Sequence, residues 1–554
     1  SGATLIVNSG STLSIANGDG TDLTSEGTLD INGTISIGTA TVDANGSFDA
    51  SGGALTFTDA GNLKLGGTVT SLGTFTESTS VVTYDGNDQV VIPLTYNDLI
   101  LAGTGTKTFS GTTTVTRGID VNSSLTIDGS EAENTFVQAH PSSASSATSV
   151  VFNVSNVTAT ISNVTIRYGQ GGIENYGTLT ISNSVITDNI NSGIVGGIYS
   201  QNATLTIEGS TIKDNQSNTG AGICLRGTSS SLISNITINN STVSGNKSTG
   251  EGGGIYNLGG NTTSTVTINN STIANNHSDY DGSSQRGGGL YLSGGTLAMR
   301  NTIIANNYRG SSTSTSDDYY YSSGTLTDNG YNVVEYQTGT STGSGKTFTA
   351  ASNYIYSGSG TIWNHNGGSI EGSLNLSSTL ADNGGPTPTL ALSTGSFAAA
   401  SSTTGIPYGS SPYWNGSPAA DQRGVVRTVD QNTSIGAYSD NYIPPVTIYV
   451  NANVSGGTSD GTSWVNAFQY LQDALAVAIS GDKIWVATGV YYPDEGTGYT
   501  NNGVTQSFQL IEGIKLYGGF AGTETLLSER DWATNPTILS GDIQQDDTNE
   551  DGNN

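Results

Sequence analysis

Short runs of alternating apolar and small polar residues, separated by glycine, fill the first part of the chain. STLSI (11–15), GTLDI (27–31), GTISI (33–37), GALTF (53–57) and GNLKL (61–65) share this form. A period of two turns Leu and Ile to one face and Thr, Ser or Asp to the other, the signature of a half-buried strand. Strands this short, with a turn after each, suit a coiled ribbon of sheet better than a wide sandwich. Leu94 to Phe109, LTYNDLILAGTGTKTF, reads as two longer strands around an AGTG turn.

From about Val150 the pattern acquires a register. Glycine clusters open at Gly171 (GGIEN), Gly196 (GGIYS), Gly220 (GAGIC), Gly250 (GEGGGIYNLGG) and Gly287 (GGGLY). Each is followed by a short strand and then by S-x-I-x-x-N or a near variant. The central residues of the strands, Ile181, Ile207, Ile238, Ile268 and Met299, are spaced by 26, 31, 30 and 31 residues. The closing asparagines, Asn189, Asn215, Asn246, Asn276 and Asn307, keep the same spacings of 26, 31, 30 and 31. Two landmarks that drift together mark a repeat of three short strands and three turns, which stacks as a parallel solenoid sharing one core. The asparagines are expected to place one amide above the next at a bend. Glycine is expected where neighbouring coils approach too closely for a side chain. Ile255 should then lie above Ile198 and below Leu290.

Beyond Asn307 the pattern loosens. SSTSTSDDYYYSSG (311–324) reads as an insertion projecting from the stack, with Tyr319, Tyr320 and Tyr321 as a contact loop. Pro386, Pro388, Pro407, Pro412 and Pro418 crowd a region expected to blunt the open end of the first solenoid. IPPV (443–446) is the best linker candidate. The one helical pattern follows it, in VNAFQYLQDALAVAIS: Phe468, Leu471, Ala474, Leu475, Ala478 and Ile479 fall on one side, and Gly481 ends it. The resulting organisation is a short-strand solenoid (1–130), a β-helix (131–379), an end region (380–442) and the helix-capped start of a second β-helix (443–554). The fold class is all-β.

Charge narrows the partners. Among 554 residues, 16 Lys and Arg face 45 Asp and Glu, a formal net charge of −29, which leaves no basic footprint for nucleic acid or an anionic bilayer. No run of apolar residues is long enough to span a membrane. The single cysteine, Cys224, excludes a disulfide framework and reads as a small packed side chain. The acidic, Lys-poor, Thr/Asn-rich composition suits an extracellular or cell-surface setting.

The coils at 171–307, with GGGIYN, STIxxN and the TI strands, resemble right-handed parallel β-helix repeats of bacterial surface and secreted proteins. The same shape also carries pectate-lyase-like and polygalacturonase-like enzymes. LADNGGPTPTLALSTGS (380–396), DQRGVVR (421–427) and SIGAY (434–438) together resemble the choice-of-anchor Q domain, although FAAASS stands where that family has a Pro-Ala-Ile-Asp type run. Tyr449 to Asn554, with LYGGFAGTET and LSERDW, is similar to the start of a second secreted β-helix domain, and residues 84–111 to segments of giant Bacteroidota-type surface proteins. The resemblance implies an exported, repetitive, often anchored protein.

Candidate chemistry is sparse. Arg167, Lys213, Arg226, Lys247, Arg286 and Arg300 do not recur at one coil position. Asp188 and Asp214 align as a solvated corner, and His140, His277 and His365 lack metal-ligand spacing. In DDTNEDG (546–552), Asp547, Asn549 and Asp551 precede a turn glycine at the spacing that opens a calcium loop. Thr-x-Thr spacing does not read as sustained on one face, which argues against an ice- or mineral-binding surface. The function expected is therefore a stiff structural or adhesive surface module. Both chain ends read as unfinished solenoid, which suggests head-to-tail filaments, and surface glycans are the expected partners. The alternative is a polysaccharide-active lyase or hydrolase.

Overall fold

The computed structural model describes residues 3–16, 20–228, 234–259, 264–282, 286–311, 315–339, 347–356, 362–365, 368–371, 373–393, 396–399, 420–425, 427, 434–439, 446–478, 482–500, 505–511 and 514–543. It forms two compact units, Ser1–Arg423 with Arg427–Asn441, and Tyr442–Asn554 with Gly424–Val426.

The first unit is a parallel β-helix. One coil shows the plan: Ile198–Gln201, Thr204–Glu208 and Thr211–Lys213 are its three strands. Each pairs in parallel with its counterpart in the next coil, Ile223–Gly227, Asn235–Asn239 and Thr242–Ser244. These define a first, a second and a third row of strands. In the second row Ile181, Ile207, Ile238, Ile268 and Met299 are direct neighbours in register. All are fully buried. Burying such a side chain stabilises by about 1.5–3 kcal/mol, so each coil gains its core only from its neighbours. In the first row Ile255 sits between Ile223 and Leu290. Ile198 is two coils away, not one as the glycine motifs suggested, because the GAGIC copy supplies a whole coil of its own.

The stack begins well before the repeat becomes regular in sequence. Thr12, Thr34 and Ala54 are successive register partners, so the early coils hold 22 and 20 residues. Leu125–Gly129 pairs onward with Thr158–Ser162, and strand pairing runs through residue 130 without a break. The strands flanking AGTG, Asp98–Leu101 and Thr106–Phe109, pair with neighbouring coils and not with each other.

The glycine clusters stand at close approaches. A Cβ on Gly254 would lie 2.5 Å from the Gly289 carbonyl oxygen and 3.0 Å from the Asn276 side-chain amide. Gly252 has φ +67 and folds over the Tyr256 Cβ, a backbone state that a side chain would strain.

Two expectations about the later part are corrected. Tyr319, Tyr320 and Tyr321 do not project. They open strand Tyr319–Asp328, in register with Leu290, Tyr291 and Leu292, and are only 0%, 9% and 1% exposed. The apolar alternation of tyrosine rings outweighed the loop-like composition around them: Tyr319 and Tyr321 face the core, Tyr320 the outside. Pro407, Pro412 and Pro418 lie outside the described residues, and the described part of the proline-rich region does not blunt an end. Its described residues lie along the flank of the third row, where Thr211 Oγ1 donates to the Pro388 carbonyl (2.7 Å) and Thr242 Oγ1 to Gln422 Oε1 (2.6 Å). Gln422 Nε2 returns a bond to Thr211 Oγ1 (2.8 Å), and Ala437 N donates to Thr272 Oγ1 (3.1 Å). Leu374, Leu392, Phe397 and Ile435 pack with Ile303 and Val333 of the third row. The third row is therefore buried on both sides, and the strap fills hydrogen bonds that a solvated row would give to water.

The second unit holds a parallel sheet of Thr447–Val450, Lys483–Ala487 and Lys515–Phe520, and a pair Gly489–Tyr491 with Thr537–Leu539. Its helix is shorter than the apolar pattern indicated, Leu471–Val477. Phe468 instead extends as a bridge partner of Val450, and Ala478 is already extended. Leu471, Ala474, Leu475 and Ala478 cover the sheet residues Ile448, Val450, Ile484 and Val486. Ile479 and Gly481 lie outside the described residues.

If close approach is what demands glycine, Gly254→Ala should destabilise the first unit by about 1–3 kcal/mol. Gly38→Ala, whose new methyl would meet nothing nearer than 3.7 Å, should change stability by less than about 0.5 kcal/mol. Thermal unfolding followed by circular dichroism compares the two.

Candidate functional site

The motif S-x-I-x-x-N builds two corners of each coil. The asparagines stack as a buried amide ladder. Asn189, Asn215, Asn246 and Asn276 each donate Nδ2–H to Oδ1 of the next asparagine, at 2.9, 3.0, 2.9 and 2.9 Å, ending on Asn307. The backbone N–H of each donates to the same Oδ1. Each Nδ2 also reaches back to a carbonyl of the preceding coil, as Asn246 does to Ile212 O at 3.0 Å. One side chain thus ties three coils, and a buried amide with every group paired is stabilising where an unpaired one is costly.

The serine of the motif forms a second ladder that composition alone did not reveal. Ser184 N donates to Ser210 Oγ (3.2 Å), Ser210 N to Ser241 Oγ (3.1 Å) and Ser241 N to Ser271 Oγ (3.2 Å). Before each corner the chain enters the left-handed region, at Asn183, Gly209, Asn240, Asn270 and Asn301, and again at Asp188, Asp214, Gly245, Asn275 and Asn306. Asn, Asp and Gly are the residues that tolerate it. Asp188 and Asp214 are therefore placed by backbone conformation, and the exchange of Asp for Gly245 and Asn275 preserves that conformation.

The amide ladder ends on an acid. Asp318 Oδ1 accepts from Asn307 N (2.9 Å) and Nδ2 (2.7 Å), while its buried Oδ2 has no hydrogen-bond partner among the described residues. Burial, then the nearby Glu335 charge, holds the Asp318 carboxyl well above the usual carboxylate range. A second unforeseen polar group is Lys107, an inward residue of TKTF. Its Nζ donates to Gly86 O, Asn87 O and Gln89 Oε1 (2.6, 2.8 and 2.8 Å), and burial lowers its pKa to about 8.

Outside the core, the first row carries an aromatic file: Tyr199, Cys224, Tyr256, Tyr291 and Tyr320 are register neighbours. Tyr256 and Tyr291 rings meet at 5.1 Å, Tyr291 and Tyr320 at 5.0 Å. The glycine loops fold over this file. Cys224 is buried in it, and desolvation pushes its thiol up to about 12, so it packs as a small side chain and is unreactive at neutral pH.

Next to this file, at the corner between the first and second rows, lies an open polar groove of about 380 Å³. Tyr176 stands in it, with Asn156, Asn202, Thr158, Thr178 and Thr204 around it. Tyr176 OH donates to Glu174 Oε2 (3.0 Å), and its ring meets Tyr199 edge-on at 6.3 Å. Buried Asn175 holds the corner open: its Oδ1 accepts from Gly177 N (3.0 Å), and its Nδ2 donates to Ser200 Oγ and Thr204 O (3.1 Å each).

One of the two positions of the Thr-x-Thr pattern is sustained over six strands, while the other is interrupted at Asn235. Thr126, Thr160, Thr180, Thr206, Thr237 and Thr267 are successive register partners on the outward face of the second row. Four of these threonines immediately precede the aligned isoleucines Ile181, Ile207, Ile238 and Ile268. Asp547, Asn549 and Asp551, the calcium candidates, lie outside the described residues. Among the described residues no group of three or more His, Cys, Asp or Glu is placed to hold a metal.

The chain matches no protein-family model, and no curated protein and no solved structure is similar enough to mark a relative.

Two outcomes test the ladder. Asn246→Ala strips hydrogen bonds from three coils at once and should cost at least about 3 kcal/mol in urea unfolding. At Asp318, the folded state retains a proton that the unfolded chain releases near pH 4. Its stabilising contribution is therefore full below that pH and is lost as pH rises toward the raised folded-state pKa. Asp318→Asn should remove this loss, so that the variant gains unfolding temperature over the parent progressively as pH rises above about 4.

Proposed function

We propose that the chain is an extracellular structural and adhesive module whose stacked coils present uncharged polar rows to surface glycans. The observation that carries this reading is the groove at Tyr176. It offers a tyrosine ring for the apolar face of a sugar, and amides and hydroxyls for its edges, on a backbone that needs no ordering to bind. The ladders supply the stiffness that an adhesive module needs. The likeness of 380–396, 421–427 and 434–438 to choice-of-anchor Q segments, and the acidic Thr/Asn-rich composition, support an exported setting. Calcium at Asp547, Asn549 and Asp551 belongs to the same reading.

Affinity electrophoresis through gels containing neutral polysaccharides tests the groove. The chain should be retarded by at least one of them, and Tyr176→Ala should weaken that retardation at least tenfold with unchanged circular dichroism. Absence of retardation by every neutral polysaccharide, or an unaffected Tyr176→Ala variant, contradicts the reading.

A further inference from the structure

The three outward faces of the first unit are finished differently. The third row is covered by the strap, which takes up the hydroxyls of Thr211, Thr242 and Thr272. The aromatic file of the first row is covered by the glycine loops. The second row is left bare. Its inner column, Thr126, Thr160, Thr180, Thr206, Thr237 and Thr267, is flanked by an outer column in which Thr158, Thr178 and Thr204 are consecutive, followed by Asn235 and then Thr265. Among the described residues, none of these threonine hydroxyls has a hydrogen-bond partner within the chain.

We propose that this grid binds ice. Three physical features point there. The first is spacing. Register partners on adjacent parallel strands stand about 4.8 Å apart, and alternate residues along a strand about 6.7 Å apart. In ice, with neighbouring oxygens about 2.75 Å apart, tetrahedral geometry sets second neighbours at about 4.5 Å and the repeat along the hexagonal axis at about 7.3 Å. The mismatches, about 0.3 Å and 0.6 Å, are small beside the oxygen–oxygen contact of about 2.75 Å. The second is preorganisation. Threonine is stiff at χ1, and the ladders fix the backbone beneath it, so little side-chain freedom is lost on contact. The third is charge. From residue 158 to residue 327 the two columns hold no ionisable side chain, in a chain whose net charge is −29. A neutral strip on an acidic protein complements a neutral lattice, since the two columns themselves hold no strongly hydrated ion to strip of water, Glu208 and Arg300 standing in the third outward column of the same strands. Ordered water held between each methyl and its neighbouring hydroxyls would merge with the crystal layer. The proposal does not rest on the glycan reading: the groove at Tyr176 shares Thr158, Thr178 and Thr204 with the outer column, whereas the inner column lies outside it.

The test uses the full chain. Its partition into slowly grown ice is compared with Thr206→Tyr and Thr180→Tyr, in which a ring interrupts the middle of the grid, and with Ser36→Tyr, an outward strand position in an early coil. The parent and Ser36→Tyr should concentrate in the ice and facet growing crystals, and the threonine variants should lose at least tenfold in partition. Should either ring variant lose its β-sheet circular dichroism, Thr206→Lys replaces it, its stem being compatible with an exposed strand. Exclusion of the parent from ice, or undiminished partition of a folded Thr206 variant, overturns the proposal. So does exclusion from ice combined with binding to crystalline neutral polysaccharide, which would give the same hydroxyls to a different lattice.

Discussion

The hydrogen bond from each asparagine side chain to the oxygen of the next is the contact on which the first unit depends. A parallel coil must bend between strands, and at each bend main-chain N–H groups turn away from the ladder of backbone bonds. Asn215, Asn246, Asn276 and Asn307 each supply one oxygen that accepts both a side-chain and a main-chain N–H from the coil before. Satisfied in this way, the corner can be dry, and a dry corner admits the neighbouring coil so closely that Gly222, Gly254 and Gly289 have no room for a Cβ beside the amides of Asn246, Asn276 and Asn307. Asparagine and glycine are thus two halves of one device.

Much of this was legible in the sequence, because the device repeats. The coincident drift of the isoleucine and asparagine positions gives the coil register, and the inward isoleucines follow from period-two alternation. The GAGIC cluster marks the coil of Ile223, which stands between those of Ile198 and Ile255. What the sequence concealed had specific causes. The serine ladder was hidden in plain view, one residue type serving corners and surfaces alike. Tyr319 to Tyr321 looked like a loop because Ser, Thr and Asp surround them, yet the rings alternate in and out as any strand does. Lys107 carries no inward signal in the sequence, since a charge rarely faces a core, yet its strand places it inside and three oxygens receive it. The strap was unreadable for a different reason: its partners, such as Gln422 and Thr242, are separated by 180 residues.

The faces of the coils divide the labour between stability and recognition. Where the third row meets the strap, threonine hydroxyls are consumed by the fold, and apolar residues of both partners close the seam. Where tyrosines and Cys224 form a file, the glycine loops seal it. Among the described residues the threonine grid and the groove at Tyr176 remain open, on strands braced by the ladders at the corners of the coils.

Site-resolved hydrogen exchange on the first unit tests the central claim most directly. If the asparagine oxygens seal the corners, the main-chain amides of Asn189, Asn215, Asn246 and Asn276 should exchange as slowly as those of the strand residues Ile207 and Ile238, and far more slowly than the exposed turn amides of Ser51 and Ala60. Exchange of the four asparagine amides at the rate of those turns would mean that water reaches the corners, and the account of how the coils hold together would be wrong.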